Sequence, residues 1–341
     1  MNLLIFLTHP EPTRSGYEKY LAPRHPELTI KTFGTRDEAI QHAGWADIVM
    51  CFGPQAKQDF FKDTPRLKWV HSLGTGTDGI TDSPHLGKDV IVTAVRGIHG
   101  APISEMAFLT MLALTRDFRR IERQRAEKSW VRWPGALLAE KTVGILGLGA
   151  IAEDMAPRFK AFNMRVTGIS RTDRPIPGFD KIYSRAQIVE AVKELDYFVL
   201  LVPLEADTRN IVNYEVLSAM KPSAHLINLA RGGVLDEDAL IRALNEKKIA
   251  GAALDAHAKE PLPQDNPLWT MPNVIVTPHI GGFSDVYALR ERPRRSRKAE
   301  AGNLRKGAAR RSIPSGFVRG TEKGAGLRGA LKVRGRSRLA V

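Results

Sequence analysis

Cysteine is nearly absent from this chain: Cys51 is the one thiol among 341 residues. A single cysteine excludes an intrachain disulfide framework and fits a reducing compartment. It follows the apolar run Ile48-Val49-Met50, which points to a buried thiol at a strand end. Long hydrophobic runs are also missing, and none approaches the roughly 18 residues that span a bilayer. The opening segment Met1-Asn2-Leu3-Leu4-Ile5-Phe6-Leu7 is apolar but has no basic flank and no cleavage site. It reads as a first buried strand and not as a secretory signal. The expected location is therefore the cytoplasm, with no membrane partner. No spacing of Cys, His and Asp suggests a metal site.

Acidic residues are too few to balance the basic ones, 37 against 51. The deficit is local. Residues 288–341 hold 17 Lys+Arg and 3 Asp+Glu, whereas residues 1–287 hold 34 of each sign. The body is neutral and the tail carries the whole excess. That tail lacks Asp, Tyr, Trp and Met and has Phe317 as its one aromatic. It has little to stack on nucleic-acid bases, so nucleic acid is not an expected partner despite the charge. No helical or strand period persists in it, which predicts a disordered or weakly ordered segment.

What is present is an ordinary apolar content of 43% and enough length for two cores. Apolar runs at 3–7, 28–33, 47–51, 67–71 and 90–93 alternate with polar, helix-compatible segments. That alternation predicts an α/β fold with a parallel sheet. A long helical pattern starts near Pro102 and runs toward Arg125, with apolar positions dense enough to predict burial on most sides early on. A second block follows, with strands predicted at 142–146, 165–169, 197–202, 224–228, 251–254 and 274–276. Helices fit 151–162, 184–192, 214–220 and 237–245, the last with Asp236 as N-cap. Six strands separated by helices predict a second doubly wound sheet, of the dinucleotide-binding kind.

The second block opens with Gly147-x-Gly149-x-x-Ala152, after a strand and before a helix. Gly147 permits the tight turn, Gly149 lets backbone approach a pyrophosphate, and small Ala152 allows close helix–sheet packing. The pyrophosphate would rest on the helix N-terminus at Ala150 and Ile151. At the end of the next strand, where NAD sites usually carry Asp or Glu, this chain has Ser170 and Arg171. A hydroxyl and a guanidinium suit a 2′-phosphate, so NADP(H) is the expected cofactor and NAD(H) the alternative.

Three later segments each set one ionisable side chain beside glycine or proline: Ala230-Arg231-Gly232-Gly233, Glu260-Pro261-Leu262-Pro263 and Thr277-Pro278-His279-Ile280-Gly281-Gly282. A cation, a carboxylate and an imidazole make a plausible toolkit for reducing a 2-oxo acid. His71, His99 and His257 read as structural or supporting residues.

With these motifs in hand, the chain resembles the D-isomer-specific 2-hydroxyacid dehydrogenases, nearest the glyoxylate/hydroxypyruvate reductase type. The resemblance covers about residues 1–287. It also draws on Leu73-Gly74-Thr75-Gly76-Thr77-Asp78, on Gly97-Ile98-His99-Gly100 with Glu105, on Val202-Pro203-Leu204 with Thr208, and on Leu254-Asp255. It implies a Rossmann domain, residues 100–284, inserted into a flavodoxin-like substrate domain made of residues 1–99 and the chain's end, 285–341. It also implies a homodimer joined through the nucleotide domains, with 130–133 a candidate part of the contact. By position, Arg231 would hold the substrate carboxylate and polarise the keto oxygen, with backbone amides at Thr75 and Gly76 assisting. His279 would exchange the proton, and Glu260 would bond its other nitrogen and fix the tautomer. Pro203, Thr208, Ala230 and Asp255 would contact the nicotinamide or its ribose. The expected partner is a small 2-oxo or 2-hydroxy acid. His257 replaces an aromatic residue usual after Asp255.

The resemblance stops at Tyr287, where the family continues with a closing amphipathic helix. The switch to Arg, Gly, Ala and Ser is what a shifted reading frame through GC-rich sequence would give; an evolved basic extension is the alternative. A non-enzymatic nucleotide sensor or corepressor-like protein on the same fold is the competing function.

Overall fold

A computed structural model describes residues 1–285 except Pro12 and Asp173. The basic segment 288–341, with its expected disorder and disputed reading frame, lies outside the described residues.

The first sheet contains β1 (Asn2–Phe6), β2 (Thr29–Phe33), β3 (Ile48–Cys51), β4 (Trp69–Ser72) and β5 (Ile91–Ala94). All pairs are parallel and the order is β2-β1-β3-β4-β5. Helices α1 (Thr13–Leu21), α2 (Arg36–Gln41) and α3 (Gly53–Ala56) lie between the strands in sequence. The alternation along β1 divides its side chains between two cores. Leu3 and Ile5 pack with Ile48 and Leu73, whereas Leu4 and Phe6 pack with Val49, Cys51 and Val70. Cys51 is fully buried, as the sequence predicts, and burial pushes its thiol up to about 12.

The chain then passes through α4 (Gly100–Thr115) and α5 (Phe118–Glu127) into the second block. Its elements are β6 (Thr142–Leu146), α6 (Ala150–Ala161), β7 (Arg165–Ser170), β8 (Lys181–Ser184), α7 (Ile188–Val192), β9 (Tyr197–Leu200), α8 (Tyr214–Ala219), β10 (His225–Asn228), α9 (Glu237–Asn245), β11 (Gly251–Leu254) and β12 (Val274–Val276). These seven parallel strands are ordered β12-β11-β10-β9-β6-β7-β8. The order reverses between β6 and β9, and the crevice beyond such a switch point is where ligands of this architecture bind. Asp236 caps α9 as expected, accepting from the Ala239 N–H.

Two expectations are corrected. The second sheet has seven strands and not six: Lys181–Ser184 forms the edge strand β8, and a short 3-10 turn at Arg185–Gln187 precedes α7. Four residues are too few for a period to declare itself. The long helix also divides. Asp117 takes a left-handed φ of +52° and its carboxylate accepts from the Arg120 N–H, so one side chain ends one helix and caps the next. The early part of α4 is buried on most sides, as expected, with Gly100, Pro102, Ile103 and Ser104 all buried. Ile103, Ala107 and Met111 pack against Ala152, Met155 and Phe159 of α6, while Leu109 is 61% exposed.

Candidate active site

Parallel register brings the three polar segments together. Asn228 of β10 pairs with Leu254 of β11, and Leu254 with Val276 of β12. The C-terminal ends of three adjacent strands therefore open on one side. Arg231 follows the first, Glu260 the second and His279 the third.

The His279 loop is clasped from below. Asp255, 4% exposed, accepts the Thr277 hydroxyl at 2.6 Å and the N–H groups of Ile280 and Gly281 at 2.9 and 2.8 Å. These bonds hold His279 at φ +55°, a region non-glycine residues seldom occupy. The imidazole Nδ1 lies 3.0 and 2.9 Å from the two Glu260 oxygens. Glu260 also accepts the His257 N–H at 3.0 Å. Burial alone pushes the Glu260 carboxyl up, but the bond and charge of His279, with the His257 amide, outweigh it and hold the carboxyl below its usual value. With Nδ1 committed, Nε2 is the nitrogen left for chemistry.

Arg231 is fixed from the other sheet. Its Nε lies 3.3 and 3.2 Å from the Asp78 oxygens, and Nη2 lies 3.2 Å from Oδ1. Nη1 donates to the Ala230 carbonyl at 2.9 Å. One N–H on each Nη remains for an anion. Buried Asn228 ties the loop, accepting from Ala230 N–H at 3.1 Å and donating to the Arg231 carbonyl at 3.1 Å. The Thr75-Gly76 loop lies directly against the guanidinium. A Cβ on Gly76 would meet Asp78 Oδ1 and stand 2.5 Å from Arg231 Nη2, so a side chain there would push the Asp78–Arg231 pair aside. Thr75 Oγ1 lies 3.0 Å from His99 Nδ1.

Two supporting roles are not read from the sequence, Asp78 behind Arg231 and Asp255 beneath the His279 loop, whereas His99 behind Thr75 is a supporting residue as expected. The one available signal was a carboxylate at the end of Gly74-Thr75-Gly76-Thr77-Asp78. His257 is structural, as expected, with Nε2 3.2 Å from the Thr277 carbonyl oxygen.

His99 is 7% exposed, and burial first, then the nearby Arg231 charge, pushes its pKa down to about 4. The fold therefore holds it neutral. A base with a depressed folded pKa contributes stability that is complete above its ordinary value of 6.5 and lost as pH falls toward 4. Denaturant midpoints should drop across that window, and His99→Asn should flatten the drop; an equally steep profile in the variant would exclude this histidine as its source.

The cofactor side fits a dinucleotide. Gly147 sits at φ +99°, where an added Cβ would stand 2.7 Å from the Val202 nitrogen. Gly149 precedes α6 with open space at its Cβ position and no side-chain cap, so the N–H groups at Ala150 and Ile151 are left for a pyrophosphate. Ser170 ends β7, and Arg171 beside it is exposed. Pro203 and Thr208 form a closed turn. Thr208 is fully buried, and its hydroxyl accepts from Glu205 N–H and donates to the Pro203 carbonyl, each at 2.7 Å. That hydroxyl shapes the loop. Among the described residues no group of His, Cys, Asp and Glu could hold a metal ion, and no helix is long and apolar enough to cross a membrane.

Known proteins share this sequence pattern and fold. Residues 108–281 match the family model for the NAD binding domain of D-isomer specific 2-hydroxyacid dehydrogenases. The chain is 34% identical over 266 residues to D-3-phosphoglycerate dehydrogenase of Methanocaldococcus jannaschii, an alignment covering 76% of this chain and half of that longer protein. It is 35% identical over 243 residues to glyoxylate reductase of Pyrococcus furiosus, covering 69% and 72% of the two chains. The crystal structure of NADPH-dependent glyoxylate/hydroxypyruvate reductase from Sinorhizobium meliloti superposes with a TM-score of 0.72 at 28% identity, covering 84% of this chain and 91% of that one.

Proposed function

The chain belongs to the D-isomer specific 2-hydroxyacid dehydrogenase family, and on that footing we propose that it reduces a small 2-oxo acid, such as glyoxylate or hydroxypyruvate, with NADPH. The carrying observation is the Glu260–His279 pair, set at the ends of adjacent strands of the same sheet as an Arg231 that retains free N–H groups.

Arg231 and the Thr75-Gly76 amides bind the substrate carboxylate, and Arg231 also polarises the keto oxygen. The uncapped start of α6 holds the pyrophosphate, and Arg171 with Ser170 holds the 2′-phosphate. When bound, the reduced nicotinamide supplies a hydride to the carbonyl carbon. The His279 Nε2–H gives its proton to the carbonyl oxygen, while Glu260 remains ionised and keeps the ring oriented. In the oxidation direction Nε2 takes the proton back.

The NADP complex of the Sinorhizobium reductase supports the cofactor choice. Oxidation of NADPH and NADH should be followed with a panel of 2-oxo acids. Turnover of glyoxylate or hydroxypyruvate with NADPH favoured is expected. A clear NADH preference would remove the 2′-phosphate assignment. Cofactor binding without turnover of any 2-oxo acid would favour the nucleotide-sensor reading.

The active form is a homodimer. Trp130 is 87% exposed, and Leu109, Phe118 and Ile121 of α4 and α5 are exposed apolar residues as well. Sedimentation should give a dimer that Trp130→Glu with Leu109→Arg converts to monomer; an unchanged dimer would place the contact elsewhere.

A further inference from the structure

The guanidinium assigned to the 2′-phosphate already has a partner. Arg171 Nη2 lies 3.0 Å from Glu205 Oε2, and Nη1 lies 4.0 Å from Asp207 Oδ2. Asp207 is tied more closely to Arg185, at 2.7 Å. Its charge is shared with a second cation, whereas the charged partner of Glu205 is Arg171.

Glu205 is not on a loose loop. Its N–H donates to buried Thr208 Oγ1, and its carbonyl accepts the N–H groups of Thr208 and Arg209 at 3.1 and 3.0 Å. The turn begins just after β9, and Val202 of this segment touches the Gly147 turn. A backbone fixed by a buried hydroxyl thus presents a carboxylate at the nucleotide crevice, opposite the end of β7.

We propose that Glu205 is a cofactor-specificity residue, a carboxylate that competes with the ribose 2′-phosphate for Arg171 and sets the ratio of NADPH to NADH affinity. The inference rests on reading Arg171 as the phosphate ligand. A phosphate near −2 with three acceptor oxygens outcompetes one carboxylate for a guanidinium. The displaced Glu205 then stands beside a dianion, and that repulsion weakens NADPH binding. With NADH the pair stays intact. Both side chains are substantially exposed, so the pair is cheap to open and its effect is screened by salt.

Calorimetry with 2′,5′-ADP and ADP reads this without hydride transfer. Glu205→Gln keeps the turn and removes the charge. It should tighten 2′,5′-ADP roughly three- to tenfold, leave ADP within about twofold, and lose most of its gain in 0.5 M salt, where the Debye length falls to about 4 Å. Arg171→Ala should weaken 2′,5′-ADP, and Glu205→Gln added to it should recover little. Equal shifts for both ligands would mean that Glu205 acts through the turn, and no shift would mean that it does not compete; either overturns the proposal while the Arg171 assignment stands. If Arg171→Ala leaves 2′,5′-ADP binding unchanged, the Arg171 assignment fails and this inference with it.

Discussion

His279→Gln should lower kcat about 10²- to 10⁴-fold while leaving nucleotide binding near that of the parent. Glutamine keeps a planar polar side chain but has no proton to transfer at neutral pH. The loop that carries it is held by Asp255 through the Thr277 hydroxyl and two backbone amides, none of which uses the imidazole. The loss should therefore fall on the chemical step and not on folding. Glu260→Gln should cost less, because the ring remains and only its orientation and charge stabilisation weaken. The variants are best compared by steady-state rates with calorimetric cofactor affinity as control. Undiminished turnover in His279→Gln would remove this residue from the proton path.

Arg231→Gln should reduce kcat/KM for the 2-oxo acid about 10²- to 10³-fold, mostly through KM, as expected when one member of a close charge pair is truncated. Lysine should not rescue it, since a single ammonium cannot present paired N–H groups to a carboxylate. Asp78→Asn should produce a smaller loss of the same kind, since the Nε and Nη2 contacts that aim the guanidinium are weakened while the cation remains. Substrate saturation curves decide the matter. An unchanged KM in Arg231→Gln would show that the acid is bound by other groups.

Much of this was legible before any coordinates. Parallel strands write themselves as short apolar runs, and Gly147 and Gly149 stand where a strand must turn sharply into a helix. Arg231, Glu260 and His279 could be singled out because each follows such a run and sits among residues that shape loops. What was not legible depends on distance along the chain. The Asp78–Arg231 contact joins residues 153 apart in sequence. No local pattern announces it, and the same holds for His99 beside Thr75. The bonds that tie the Thr208 hydroxyl into its own turn are equally silent in the sequence. The break at Asp117 was hidden because the residues on both sides favour helix, and a single left-handed φ separates them.

The two halves of the cleft do not share the work evenly. Proton exchange is self-contained, since His279, Glu260 and the Asp255 clasp all hang from one sheet. Anion recognition is bipartite: the guanidinium comes from that sheet, and its aiming carboxylate and the Thr75-Gly76 cradle come from the other. A small rotation of one body against the other would thus leave the acid intact while dismantling the grip on the substrate. On the roles proposed for these residues, such an enzyme would gate its reaction by capture and release, with the acid kept ready throughout.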